Sequence, residues 1–128
     1  AAVAGDRLDI YSGEDGITLP ILSVGGIGCI SVAANVAPRQ MVAIVDKFFA
    51  GDVEGAARMQ KELAAAISRF LREQKADDRQ LFVRRYWYGY SLREIAEQTF
   101  SAAPYLATRM HNLRRSLKVW LEQSGVAV

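Results

Sequence analysis

Val24-Gly25-Gly26-Ile27-Gly28-Cys29-Ile30-Ser31-Val32-Ala33-Ala34-Asn35-Val36-Ala37-Pro38 sets a glycine break, a continuous apolar run and a helix-opening proline one after another. Residues 28 to 34 read as a short parallel strand buried on both faces, because such strands carry apolar side chains on both sides rather than alternating. Pro38 suits the first turn of a helix over about 38 to 50, where Met41, Val42, Ile44, Val45, Phe48 and Phe49 recur at helical spacing. Upstream, residues 8 to 12 alternate as a strand does and stop at Gly13. Glu14 and Asp15 then complement the positive end of a helix over 14 to 24, with Ile17, Leu19, Ile21, Leu22 and Val24 as its apolar face. Pro20 is tolerated there only near the first turns or at a kink. The order β-α-β-α in one sheet implies parallel strands and a right-handed crossover.

Downstream the pattern is helical throughout. Gly51-Asp52 is a turn with an N-cap, and a helix from Val53 to about Lys75 runs without a breaker, with Ala56, Ala57, Ala64, Ala65, Ile67, Phe70 and Leu71 sharing a face. Ala76-Asp77-Asp78 opens a helix from 78 to about 88, with Leu81, Phe82, Tyr86 and Trp87 available for burial. Ser91-Leu92-Arg93-Glu94 is a capping box, in which hydroxyl and carboxylate each satisfy the other residue's N–H. It starts a helix of about eight residues, with Leu92, Ile95 and Ala96 inward. A break near Thr99-Phe100-Ser101 leads to a longer helix from about 102 to 123, whose Leu106, Met110, Leu113, Leu117 and Leu121 form a core stripe. A short helix, a tight turn and a longer basic helix make a helix-turn-helix arrangement.

Charge divides the chain near residue 67. Residues 1 to 66 carry five Lys/Arg against eight Asp/Glu, a net of −3, whereas residues 67 to 128 carry eleven against six, a net of +5. The asymmetry points to a nucleic-acid partner for the second half. No apolar run approaches the roughly 20 residues that span a bilayer, and the first residues, Ala1-Ala2-Val3-Ala4-Gly5, lack the basic and long apolar regions of a signal peptide. The lone Cys29 has no internal disulfide partner, which fits a reducing, cytoplasmic compartment and a small core side chain.

Two resemblances follow. Tyr11-Ser12-Gly13-Glu14-Asp15, Leu19-Pro20 and the stretch from Val24 to Pro38, continuing through Gly51-Asp52 and Ala56-Ala57-Arg58 to about residue 66, resemble the last quarter of dihydrodipicolinate synthases and related pyruvate aldolases. The resemblance implies strands seven and eight of a (βα)₈ barrel with their helices. Gly13 and Ile30 match positions that line the family's pyruvate pocket. The family's Schiff-base lysine and its helping tyrosine belong to earlier strands, while Lys47 and Lys61 fall on helices, so the expectation is that the chain is not an enzyme. Residues 67 to 125 resemble region 4 of bacterial RNA polymerase sigma factors. That resemblance rests on Asp78-Arg79, Phe82-Val83-Arg84-Arg85-Tyr86-Trp87-Tyr88, Ser91-Leu92-Arg93-Glu94-Ile95-Ala96-Glu97 and Ala107-Thr108-Arg109-Met110-His111, followed by Leu113-Arg114-Arg115-Ser116-Leu117 and Leu121-Glu122. The family's turn usually carries glycine. Here Thr99-Phe100-Ser101-Ala102-Ala103-Pro104 has none and must find φ > 0 elsewhere or bend differently.

The expected architecture is mixed but mainly α: a two-stranded parallel β-α-β-α barrel fragment over 1–66, fused through a continuous helix to an all-α helix-turn-helix bundle over 67–128. The alternative is one merged core. The seam inside a helix resembles the product of segment recombination, an artificial chimera, with a natural gene-fusion remnant as the alternative origin. The expected function is non-catalytic, with a residual DNA-binding face for a promoter −35-like duplex; the alternative is a self-associating scaffold without a biological ligand. Tyr105, Thr108, Arg109 and Asn112 would meet base edges, and Arg93, His111, Arg115 and Lys118 would hold phosphates. The bland alternative is that these side chains are the solvated face of a helix. No cofactor or metal is expected, since His111 has no Cys or His at ligand spacing. Trp87, Trp120 and the nearby tyrosines read as core or interface aromatics rather than stacking platforms. Two strands alone leave unpaired edges, which the long helix, the basic half or a second copy must cover. A homo-oligomer, most simply a dimer, is expected, with double-stranded DNA and the polymerase flap as further partners.

Overall fold

A computed structural model describes residues 8–128. Strands β1 (Tyr11–Ser12) and β2 (Gly28–Cys29) pair in parallel, Tyr11 opposite Gly28 and Ser12 opposite Cys29. Ladder hydrogen bonds extend one step further at each end, from Ile27 N–H to the Ile10 carbonyl at 2.9 Å and from Ile30 N–H to the Ser12 carbonyl at 2.7 Å. The strands are thus shorter than the runs 8–12 and 28–34, and local polar side chains explain why. Ser12 Oγ donates to the Glu14 carbonyl at 2.7 Å and folds the chain back after β1. After β2, the Asp15 carboxylate accepts from Ala33 N–H and Ser31 Oγ from Ala34 N–H, both at 2.9 Å, which draws Ala33–Asn35 into a 3₁₀ turn.

The predicted helix 14–24 is a 3₁₀ turn, Asp15–Ile17, followed by α1 (Thr18–Ser23). Pro20 stands third in α1, where an N–H would lack an intrahelical acceptor in any case. Only Leu22 of the predicted apolar face is buried, while Ile17 and Val24 are exposed. Helix α2 (Pro38–Phe49) matches its predicted span and buries Met41 and Ile44. Helix α3 (Val53–Glu73) begins where the Asp52 carboxylate accepts from Gly55 N–H at 2.9 Å. It passes residue 67 without a break.

The buried stripe of α3 differs from the predicted one. Ala56, Leu63, Ala66, Phe70 and Leu71 are buried with Met59 and Ile67 packed beside them, whereas Ala64 and Ala65 face solvent. Ala56, Met59, Leu63, Ala66 and Phe70 recur with a period near 3.5, which turns Leu63 and Ala66 inward in place of Ala64 and Ala65. Helix α4 (Ala76–Tyr86) starts and ends two residues earlier than predicted, with Asp77 and Asp78 inside its first turn. Helices α5 (Leu92–Thr99) and α6 (Ala103–Gln123) follow, and all five predicted stripe residues of α6 are buried.

One apolar cluster runs from Ala33 through Ile44, Leu63 and Phe70 to Leu117 and Leu121. The C-terminal residues close onto it: Gln40 N–H in the first turn of α2 donates to the Ala127 carbonyl at 3.1 Å, and Val126 and Val128 pack against the cluster. Acidic and basic parts of the chain therefore share a core. No described helix is long and apolar enough to cross a membrane.

Candidate functional site

The DNA-contact side chains singled out in the sequence are carried by α5 and α6, on either side of a tight turn. Helix α5 is fixed at its start by the capping box, with Glu94 N–H donating to Ser91 Oγ at 3.1 Å and Ser91 N–H to the Glu94 carboxylate at 2.7 Å. These bonds hold the Glu94 carboxyl below its ordinary pKa. At its end Phe100 takes the left-handed conformation, φ 52° and ψ 35°, with its N–H and that of Ser101 both directed at the Ala96 carbonyl. The glycine-free turn thus keeps a tight bend by placing phenylalanine where glycine is favoured. Phe100 is 99% exposed. Pro104 then occupies the second position of α6, inside the first turn.

Along α6, Tyr105, Thr108, Asn112 and Arg115 share the exposed stripe opposite the core, with His111 and Lys118 beside it. Thr108 Oγ1 donates to the Pro104 carbonyl at 3.1 Å, which holds its rotamer. Asn112 and Arg115 also border an open groove of about 450 Å³ against α3, floored by Phe70 and Trp120. Those two rings meet edge-on at 6.3 Å, and the Arg69 guanidinium lies over Trp120 at 5.8 Å. Trp120 is therefore an interface aromatic, as expected. Trp87 is not, because 70% of it faces solvent.

Arg109 is placed apart from the rest of its set. Its Nε donates to Asp78 Oδ1 at 3.0 Å and its Nη2 to the same oxygen, tying α6 to the start of α4. Both side chains are largely withdrawn from water, and the guanidinium lies 5.5 Å from the Tyr105 ring centre. The Asp78 bond, first of several causes, raises the already high pKa of Arg109. In this arrangement Arg109 is a structural clamp rather than a free reader of bases. No sequence spacing could disclose it, since its partner lies 31 residues away. Arg93 projects into solvent with a long contact to Glu97 at 3.4 Å.

The C-terminal ends of β1 and β2 form a second candidate region. Nothing approaches within 4 Å of a side chain built on Gly13, and Ile30 is 73% exposed, so both border open space. Burial, the largest cause, pushes the Cys29 thiol above its ordinary pKa. Lys47 lies on α2, paired with Asp52 at 2.6 Å, and Lys61 lies on α3. Among the described residues, no three His, Cys, Asp or Glu side chains converge as metal ligands.

A match to the Dihydrodipicolinate synthetase family covers residues 1–77. The chain belongs to that family. Relatives named 4-hydroxy-tetrahydrodipicolinate synthase include one from Citrifermentans bemidjiense, 50% identical over 58 residues, covering 45% of this chain and 20% of the relative. Another, from Moorella thermoacetica, is 56% identical over 54 residues, 42% of this chain and 18% of the relative. One from Lachnoclostridium phytofermentans is 45% identical over 67 residues, 52% of this chain and 23% of the relative. The chain spans about a fifth of the length of the curated relatives it matches. No solved structure matches. These relatives correct the expectation of a non-enzyme: the N-terminal part of the chain is sequence of a dihydrodipicolinate synthase-type enzyme family. The expectation rested on where the family's lysine falls in the barrel.

Proposed function

We propose that the basic part of the chain binds duplex DNA through α6, in the manner of sigma factor region 4 at a −35-like element. The observation that carries this reading is the exposed stripe Tyr105, Thr108, Asn112 and Arg115, which begins directly after a tight turn on a helix of 21 residues. Such a helix is long enough to lie in a major groove and present its first turns to base edges. His111, Arg115, Lys118 and Arg93 supply phosphate contacts, and Arg109 reaches a base edge only by leaving Asp78. A single module of this kind binds in the range of about 10⁻⁴ to 10⁻⁶ M when non-specific, and salt weakens it steeply. A duplex carrying a −35-type element should be retarded in a gel at about 50 mM salt, less so at about 200 mM. Arg115→Ala should reduce the shift. Unchanged mobility with excess protein refutes the reading. The polymerase flap is the proposed secondary partner, in the cytoplasm.

A second reading concerns the acidic part. Gly13 and Ile30 stand at the C-terminal ends of parallel strands, the end at which barrel enzymes place their sites. We propose that they form part of a pyruvate-binding wall in a synthase of the relatives' type. Calorimetric titration with pyruvate tests this: heat lost in Gly13→Val supports it, and no heat with the parent chain refutes it. Exposed Leu8, Tyr11, Ile27 and Ile30 surround the two-stranded sheet and favour a dimer through this face. Light scattering showing a monomer at micromolar concentration removes that part.

A further inference from the structure

Arg84-Arg85-Tyr86-Trp87-Tyr88-Gly89-Tyr90, at the corner between α4 and α5, makes no contact in the duplex or pyruvate readings above. Tyr86 turns inward onto Phe82, ring centres 4.7 Å apart, and joins the core. The other three aromatics do not. Trp87 is 70% and Tyr88 67% exposed, and Tyr90 is exposed as well. Gly89 at φ 72° reverses the chain between the tyrosines, so that their rings stack with centres 6.2 Å apart and planes inclined by only 27°.

The corner is held rather than loose. Trp87 N–H donates to the Val83 carbonyl at 2.8 Å and Tyr90 N–H to the Arg84 carbonyl at 3.0 Å. Arg85 Nη1 donates to the Tyr90 carbonyl at 3.3 Å, with its guanidinium 5.9 Å from the Tyr86 ring centre. Arg84 is turned away, bonded to Gln98 at 3.1 Å in the groove that Asp77, Thr99 and Arg109 line. Flat π faces are thus displayed in a fixed arrangement beside Arg85, in the half of the chain with a net charge of +5.

We infer that this corner is a binding site for single-stranded nucleic acid, in which bases stack on Trp87 and on the Tyr88–Tyr90 pair while Arg85 neutralises phosphate. A single strand offers both complements at once, unpaired base faces and negative charge; a duplex hides its base faces, and an apolar peptide lacks the charge. The site is separate from the α6 stripe, and its fate does not depend on that stripe.

The test uses the full chain carrying Trp120→Phe, which leaves Trp87 as its one tryptophan. Titration with oligo(dT) and oligo(U) of about 15 nucleotides should quench its fluorescence to saturation, weakening as salt rises. Preference between the two distinguishes DNA from RNA as the strand. A full chain with Trp87→Ala and Tyr88→Ala, followed by anisotropy of a labelled oligonucleotide, should bind about tenfold or more weakly. Its circular-dichroism melting should be unchanged, because neither side chain is in the core. Arg115→Ala should leave single-strand binding as it was. Absence of quenching by both oligonucleotides at low salt, or equal affinity in the double variant, overturns the inference.

Discussion

Replacing Phe100 by glycine should stabilise the protein, although it deletes the largest side chain of the turn. Phe100 is 99% exposed, so its removal sacrifices almost no burial. Its φ of 52° lies in the left-handed region, where an L side chain costs about 1–2 kcal/mol through crowding of Cβ against the following carbonyl. Glycine is free of that cost but loses more backbone entropy on folding, about 0.5–1 kcal/mol. The balance favours glycine by about 0.5–1 kcal/mol. For a chain of this size such a change raises the midpoint of thermal unfolding by about 2–4 °C, read by scanning calorimetry. Phe100→Ala is the control, because alanine keeps the Cβ and should leave the midpoint near that of the parent. A midpoint for Phe100→Gly equal to or below that of Phe100→Ala refutes the assignment of strain to this residue.

Removing the clamp by Asp78→Ala should lower stability by about 1–2 kcal/mol, since it strands a half-buried guanidinium, and should release Arg109 toward any bound duplex. Chemical denaturation checks the first effect, and a stability equal to the parent's shows the pair to be idle. Because one apolar cluster spans Ala33 to Leu121, Ile44→Ala and Leu117→Ala should each cost about 3 kcal/mol and lower one common unfolding transition. Two transitions, each moved by only one variant, contradict a shared core. The carboxyls of Asp52, held down chiefly by Lys47, and Glu94, held down by Ser91, are both depressed in the folded chain. Each adds stability above its unfolded pKa that is lost as pH falls through the carboxylate range, so acidification should lower the melting midpoint. In Ser91→Ala the decline should be shallower, and an identical slope argues against the capping carboxylate.

Much of the helical part was legible in the sequence because its signals are local. Asp52 and Ser91 accept N–H groups three residues ahead, Pro38 and Pro104 fall in first turns, and the α6 stripe recurs every three or four residues. Such features act within one turn of chain and require no knowledge of the rest. The strands were legible only in position. Their ends are set by Ser12, Ser31 and Asp15, whose hydrogen bonds draw the backbone out of the ladder. The missing turn glycine was visible, but its resolution by a left-handed Phe100 was not, since several bends satisfy the same residues.

By itself, then, the sequence determined the helices, the family of the acidic part and the faces of α6, through caps, periodicity and composition. Tertiary structure decided what no neighbouring residue specifies. It set the 3.5-residue seam of α3, withdrew Arg109 onto Asp78, left Trp87 in solvent, and closed the C-terminus onto α2. Each of these depends on which surfaces meet across tens of residues, and burial and ion pairing at that range follow from packing rather than from local spacing.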